Sequence, residues 1–129
     1  MDLIIRKNEY GPNKLEYPVK IMDSYYSRLK GLMFKNTVEK GLVFKIPKSK
    51  TSFTSAIHMF FMLIPIDILF IDENDVIYDM ISIKPWKTYQ PKYPAKYVIE
   101  LEKGTIKNNN LSIGDEIHFR GNIDFILEH

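Results

Sequence analysis

Cysteine is absent from this chain of 129 residues. Disulfides, thiolate-bound zinc, iron–sulfur clusters and thiol catalysis are therefore excluded by inventory. The same absence fits a cytoplasmic protein. The opening residues, Met1-Asp-Leu-Ile-Ile-Arg-Lys-Asn8, lack the apolar stretch of a secretory signal. An excess of charge of one sign is also lacking. Eighteen basic side chains face sixteen acidic ones, a net charge of +2, with no dense Lys/Arg block. That balance argues against a nucleic-acid-binding surface. The chain contains no P-loop, nucleophile elbow or dinucleotide-binding glycine motif. No repeat, linker or low-complexity tract divides it. The longest apolar run, Ala56 to Ile71, falls short of the roughly 20 residues a membrane-spanning helix requires, and Pro65 and Asp67 interrupt it.

What remains is enough for one domain over residues 1–129, with its own core. Aromatic residues make up 13% of the chain, with eight Tyr and eight Phe, a weighting that favours pleated surfaces. Extended segments are expected at Leu3–Lys7, Pro18–Ile21, Gly41–Pro47, Ile57–Met62, Ile66–Ile71, Val76–Ile83, Tyr97–Leu101, Glu116–Phe119 and Ile123–Leu127. Pro65 separates two of these, because it cannot donate to a ladder. The polar stretch Asp72-Glu-Asn-Asp75 reads as the turn of a hairpin, and Gly31, Gly104 and Gly114 read as turn or cap glycines. One helix is predicted over residues 24–33, where Tyr25, Tyr26, Leu29, Leu32 and Met33 recur at helical spacing after Asp23 or Ser24. The fold expected is mainly β with one short helix, built as a barrel or as strongly curved antiparallel sheets.

Four segments occur in a recognisable order. They are Arg28-Leu-Lys-Gly-Leu-Met-Phe-Lys35, Ile57-His-Met-Phe-Phe61 followed by Ile64-Pro-Ile-Asp-Ile-Leu-Phe-Ile-Asp72, Ala95-Lys-Tyr-Val-Ile-Glu-Leu101, and Ile113-Gly-Asp-Glu-Ile117. Together they resemble the domain of unknown function 192, or uncharacterised protein family 0127, over about Val19 to Phe119. The resemblance implies a small, mostly β fold and brings no established activity. This chain departs from many bacterial members at one motif. His58 stands where they have Trp, and Phe60, Phe61 and Met62 replace a Lys-Asn-Thr trio.

Two ionisable side chains, His58 and Asp67, sit in the apolar run. A buried charge without a partner costs several kcal/mol, so each requires a partner, a shifted pKa or a wet pocket. Arg28, four residues before Leu32 on the predicted helix, is the expected partner of Asp67 or Glu100. A loop backbone donor would serve Asp67 equally well. Glu100 alternates with Ile99 and Leu101 and points either to solvent or into the barrel. His58 has no second histidine at metal-ligand spacing, and no metal or other cofactor is expected. The segment Pro85-Trp86-Lys87, with Tyr89, Tyr93 and Lys84, Lys92 and Lys96, forms either a lid on the barrel or a binding surface. A lone Trp beside Pro favours the lid, with Trp86 buried. The preferred reading is a module that binds a small molecule or protein at a polar pocket or rim of Arg28, His58, Asp67 and Glu100. The alternatives are an enzyme using His58 and Asp67 as acid–base groups, and a protein or nucleic-acid interaction through the Trp86 loop.

Overall fold

A computed structural model describes residues 1–22, 40–47, 57–58 and 63–121, with only the backbone described at 57–58. The predicted helix at 24–33, with Arg28, lies outside the described residues, as does the expected strand at 123–127. The strands are β1 (Asp2–Arg6), β2 (Asn13–Met22), β3 (Gly41–Lys45), β4 (Ile57–His58), β5 (Ile66–Ile71), β6 (Ile77–Ile83), β7 (Thr88–Tyr89), β8 (Tyr97–Glu102) and β9 (Glu116–Arg120). A short helix, α1 (Thr105–Asn108), follows β8. Seven strands form one sheet in the order β6-β5-β8-β3-β2-β1-β9, and β4 and β7 form a separate ribbon.

The sheet curls into a half-barrel whose edges meet at one end. Val76, just before β6, bridges Glu116 at the start of β9. Ile77 N–H donates to Asp115 O at 2.9 Å, Gly114 N–H to Ile77 O at 2.8 Å and Ile117 N–H to Asp75 O at 2.9 Å. The inner face carries a core drawn from all seven strands, including Leu3, Leu15, Val43, Leu69, Ile77, Ile99 and Ile117, with Leu111 beyond α1. The outer face carries a second core of Leu42, Phe44, Ile66, Ile68, Phe70, Ile83 and Val98. Successive strand side chains point to opposite faces. Two covered faces thus explain why all six residues of β5 are buried and why the sequence there is an almost unbroken apolar run.

Every sheet pair is antiparallel, as expected, except β2 with β3. That pair is parallel, and the residues between Met22 and Gly41 are long enough for the crossover a parallel pair demands. Strand β2 is also longer than Pro18–Ile21. Its ten residues bond β1 through Pro18 and β3 from Val19 onward. Pro18, with no N–H to give, stands where the partner changes. Gly41 opposes Val19 at a close approach. A Cβ there would lie 2.8 Å from Leu101 Cδ2 and 3.0 Å from Val19 Cγ1.

Candidate functional site

Asp67 lies on the inner face of β5 and is 0% exposed. Its Oδ2 accepts the N–H groups of Gly104 at 3.1 Å and Ile106 at 2.9 Å. Its Oδ1 accepts the hydroxyl of Ser82, its cross-strand partner, at 2.6 Å. Gly104, at φ 93°, is the N-cap of α1 and offers no side chain for the free N–H groups. The carboxylate from the sheet supplies what the helix lacks locally, joining α1 to β5. The predicted need for a backbone donor is thus met twice. Arg28 lies outside the described residues.

Glu100 is buried but does not join Asp67. It pairs with Leu42 of β3 and Ile68 of β5, whose side chains belong to the outer core. Asp67 pairs with Leu101, which faces the inner core. Adjacent strand positions point oppositely, so one pocket holding both carboxylates is ruled out. His58 pairs through its backbone with Thr88 in the β4–β7 ribbon. Its side chain lies outside the described residues. Among the described residues no group of three His, Asp or Glu side chains is placed to hold a metal.

The segment from Lys84 to Lys96 is a strap that leaves β6 at Ile83 and recrosses the outer core to reach β8. Tyr89 packs its ring on Phe70, with centroids 5.6 Å apart, and its hydroxyl donates to Asp79 Oδ2 at 2.6 Å. Within the strap, Pro91 and Ala95 are buried, and Ala95 joins the outer core. Tyr78 donates its hydroxyl to Tyr93 O at 2.5 Å and lies 6.2 Å from that ring. Lys96 fixes the far end, donating its N–H to Ile71 O at 2.7 Å and pairing with Asp75 at 2.8 Å. The hydrogen bond to Asp79, aided by burial and the carboxylate charge, pushes the Tyr89 hydroxyl up to about 12. Burial first, and Asp79 next, raise Tyr78 as well. The Asp75 carboxylate raises Lys96. Sequence reading missed Tyr78 and Asp79 as anchors, since neither belongs to a motif and only the fold brings them under the strap.

Trp86 is not the buried lid residue expected from its proline neighbour. It is 59% exposed, and Tyr93 is 58% exposed. The reason is register. Ile66 pairs with Ile83, so Trp86, three residues beyond Ile83, lies past the end of the β5–β6 ladder. Trp86 sits in a turn closed by a long hydrogen bond of 3.4 Å from Lys87 N–H to Lys84 O. Its φ of 68° is left-handed, a conformation that costs a bulky residue on the order of 1–3 kcal/mol. Leu63 precedes Ile66 by as many residues as Trp86 follows Ile83, and it too is exposed at this end.

The half-barrel has counterparts of known structure. A protein from Sinorhizobium meliloti, described as a candidate transcription regulator, superimposes with a TM-score of 0.77 over 91% of this chain and 92% of its own, at 22% identity. A protein of unknown function from Novosphingobium aromaticivorans gives a TM-score of 0.76 over 92% of this chain and 84% of its own, at 17% identity. At such identities the likeness is one of fold. In sequence, a UPF0127 protein of Thermococcus sibiricus is 46% identical over 99 residues, 77% of this chain and 64% of that protein's length. This chain thus spans less than two thirds of that relative. A UPF0127 protein of Pyrococcus abyssi is 38% identical over 112 residues, 87% of this chain and 94% of its own length. The DUF192 family model, described as Uncharacterized ACR, matches residues 7–119. With most of its length matched by that model and by these relatives, the chain belongs to the DUF192 (UPF0127) family, for which no activity is established.

Proposed function

We propose that this protein is a recognition module that engages a macromolecular partner through the strap at Lys84–Lys96, with Trp86 as its leading contact. The observation that carries the reading is Trp86 itself, a large aromatic more than half exposed in a strained left-handed turn. Exposed Trp and Tyr are favoured as binding anchors, because they offer large contact area for few rotatable bonds. Backbone strain at a surface residue is also more often retained for use than for stability. The polar-pocket and acid–base readings have less behind them. Asp67 is fully buried and its carboxylate is taken up by Gly104, Ile106 and Ser82.

A random-peptide display library panned against the wild type and Trp86→Ala tests the proposal. Clones retained by the wild type should bind Trp86→Ala more weakly, on the order of tenfold or more, as for an interface anchor. The melting temperatures of the two proteins should agree. Clones that bind both proteins equally would defeat the assignment.

A further inference from the structure

We infer that the strap takes an acidic polypeptide segment, with Trp86 and Tyr93 as apolar contacts and Lys84, Lys87 and Lys92 as charge partners. This rests on the recognition reading and narrows it to one class of partner. From Met80 to Ile99 the sequence has no Asp or Glu, and it has four lysines. Two carboxylates beside the strap are already engaged, and Glu100, on the outer face it crosses, is buried. Asp79 accepts the Tyr89 hydroxyl and the N–H of Met80, and Asp75 holds Lys96. Among the described residues Lys84, Lys87 and Lys92 are exposed and form no ion pair. Lys92 instead lies over the Tyr93 ring, 5.6 Å from its centre. The surface therefore interleaves unneutralised ammonium groups with aromatic rings.

Length and charge distribution narrow the occupant. The strap runs from the Ile83 end of the sheet to the Ile71 end, the length of β5. At about 3.3 Å per residue, a partner of about six extended residues would cover it. Exposed ion pairs are individually weak, so three lysines would steer and orient the segment while the rings supply most of the contact. A polynucleotide fits less well. It carries a charge at every residue, and exposed Glu73, in the turn before β6, and Glu102, the last residue of β8, stand near the two ends of the strap. A peptide can place its carboxylates only where the lysines are.

Trp86 is the only tryptophan, so its emission reports directly on this surface. The probes are a short capped peptide alternating Glu and Val, matched Gln/Val and Lys/Val peptides, and an oligothymidylate of similar length. The Glu/Val peptide should bind about tenfold more tightly than the Gln/Val peptide, and added salt should reduce the difference. The double variant Lys84→Gln, Lys87→Gln should lose that preference at an unchanged melting temperature. Equal binding of the Glu/Val and Gln/Val peptides would overturn the acidic assignment while leaving the recognition reading intact. So would binding of oligothymidylate in place of the Glu/Val peptide. If neither peptides nor oligothymidylate bind at low salt, both readings fall.

Discussion

Two turns leave opposite ends of strand β6, and each holds a residue other than glycine in the left-handed region. Asp75, at φ 61°, is in the turn from β5, and Trp86, at φ 68°, is in the turn toward β7. Asp is one of the residues that tolerates this conformation, and Trp is not. The first turn is bound on every side. Asp72 Oδ1 accepts the N–H of Asn74 at 2.8 Å and of Val76 at 3.0 Å, Asp75 O accepts from Ile117, and the Asp75 carboxylate holds Lys96. Its strain helps close the half-barrel. The second turn is crossed by a hydrogen bond stretched to 3.4 Å and carries an exposed indole between lysines that form no ion pair among the described residues. The same backbone strain thus serves stability at one end and presents a side chain at the other.

The largest effect expected tests whether polar groups near the Trp86 end are also structural. Asp67→Ala leaves the half-buried N–H groups of Gly104 and Ile106 and the Ser82 hydroxyl without their acceptor and should cost about 2–3 kcal/mol, read from chemical denaturation. Asp67→Asn, which keeps one acceptor oxygen, should cost less. If Asp67→Ala is stable but inactive in partner binding, Asp67 belongs to the functional surface instead. Gly41→Ala should come next, at about 1–2 kcal/mol, because its methyl group would meet Leu101 and Val19 inside the inner core.

The paired turns give the sharper contrast. Asp75→Ala should lower stability by about 1 kcal/mol, through loss of the Lys96 pair and a poorer left-handed residue. Trp86→Gly should leave the melting temperature unchanged or slightly higher, since relief of strain offsets the added freedom of the unfolded chain. An equal loss for both would erase the distinction between the turns.

The smallest effect is one of pH. The Tyr89 hydroxyl titrates at about 12 in the folded protein against an ordinary value of 10.0. A raised value means the folded state favours the protonated phenol. Its contribution is complete below about pH 10, where Asp79 accepts the hydrogen bond, and is lost as the pH climbs toward 12. Tyr89→Phe should be slightly less stable at neutral pH and should show a shallower alkaline decline. Tyr78, raised in the same direction, would keep the remainder. Identical alkaline curves would detach Asp79 from the strap.

Local chemistry was legible in the sequence, and long-range geometry was not. Pro65 and Asp72 bracket β5, and the strand found, Ile66–Ile71, is the strand expected. The Asp72–Asp75 turn and the cap role of Gly104 follow from residue type in the same way. Helix α1 was missed because four residues are too few to show a helical period. Burial of Asp67 implied a donor without identifying it, since Gly104 and Ile106 lie far along the chain. Its separation from Glu100 depends on the β5–β8 register, which no local pattern encodes. The choice between a buried and an exposed Trp86 fell the wrong way for a similar reason, because it depends on where the β5–β6 ladder ends.

The central claim is that the Trp86 turn presents an accessible indole in a positive local field. Quenching of the single tryptophan by iodide and by caesium, compared at matched ionic strength, tests both halves at once. The account predicts emission at the long wavelength of a hydrated indole and quenching by iodide well above that by caesium. It also predicts that Lys84→Gln with Lys87→Gln narrows the gap. Short-wavelength emission shielded from both ions would mean that Trp86 is buried after all, and the contrast between the two turns would be lost.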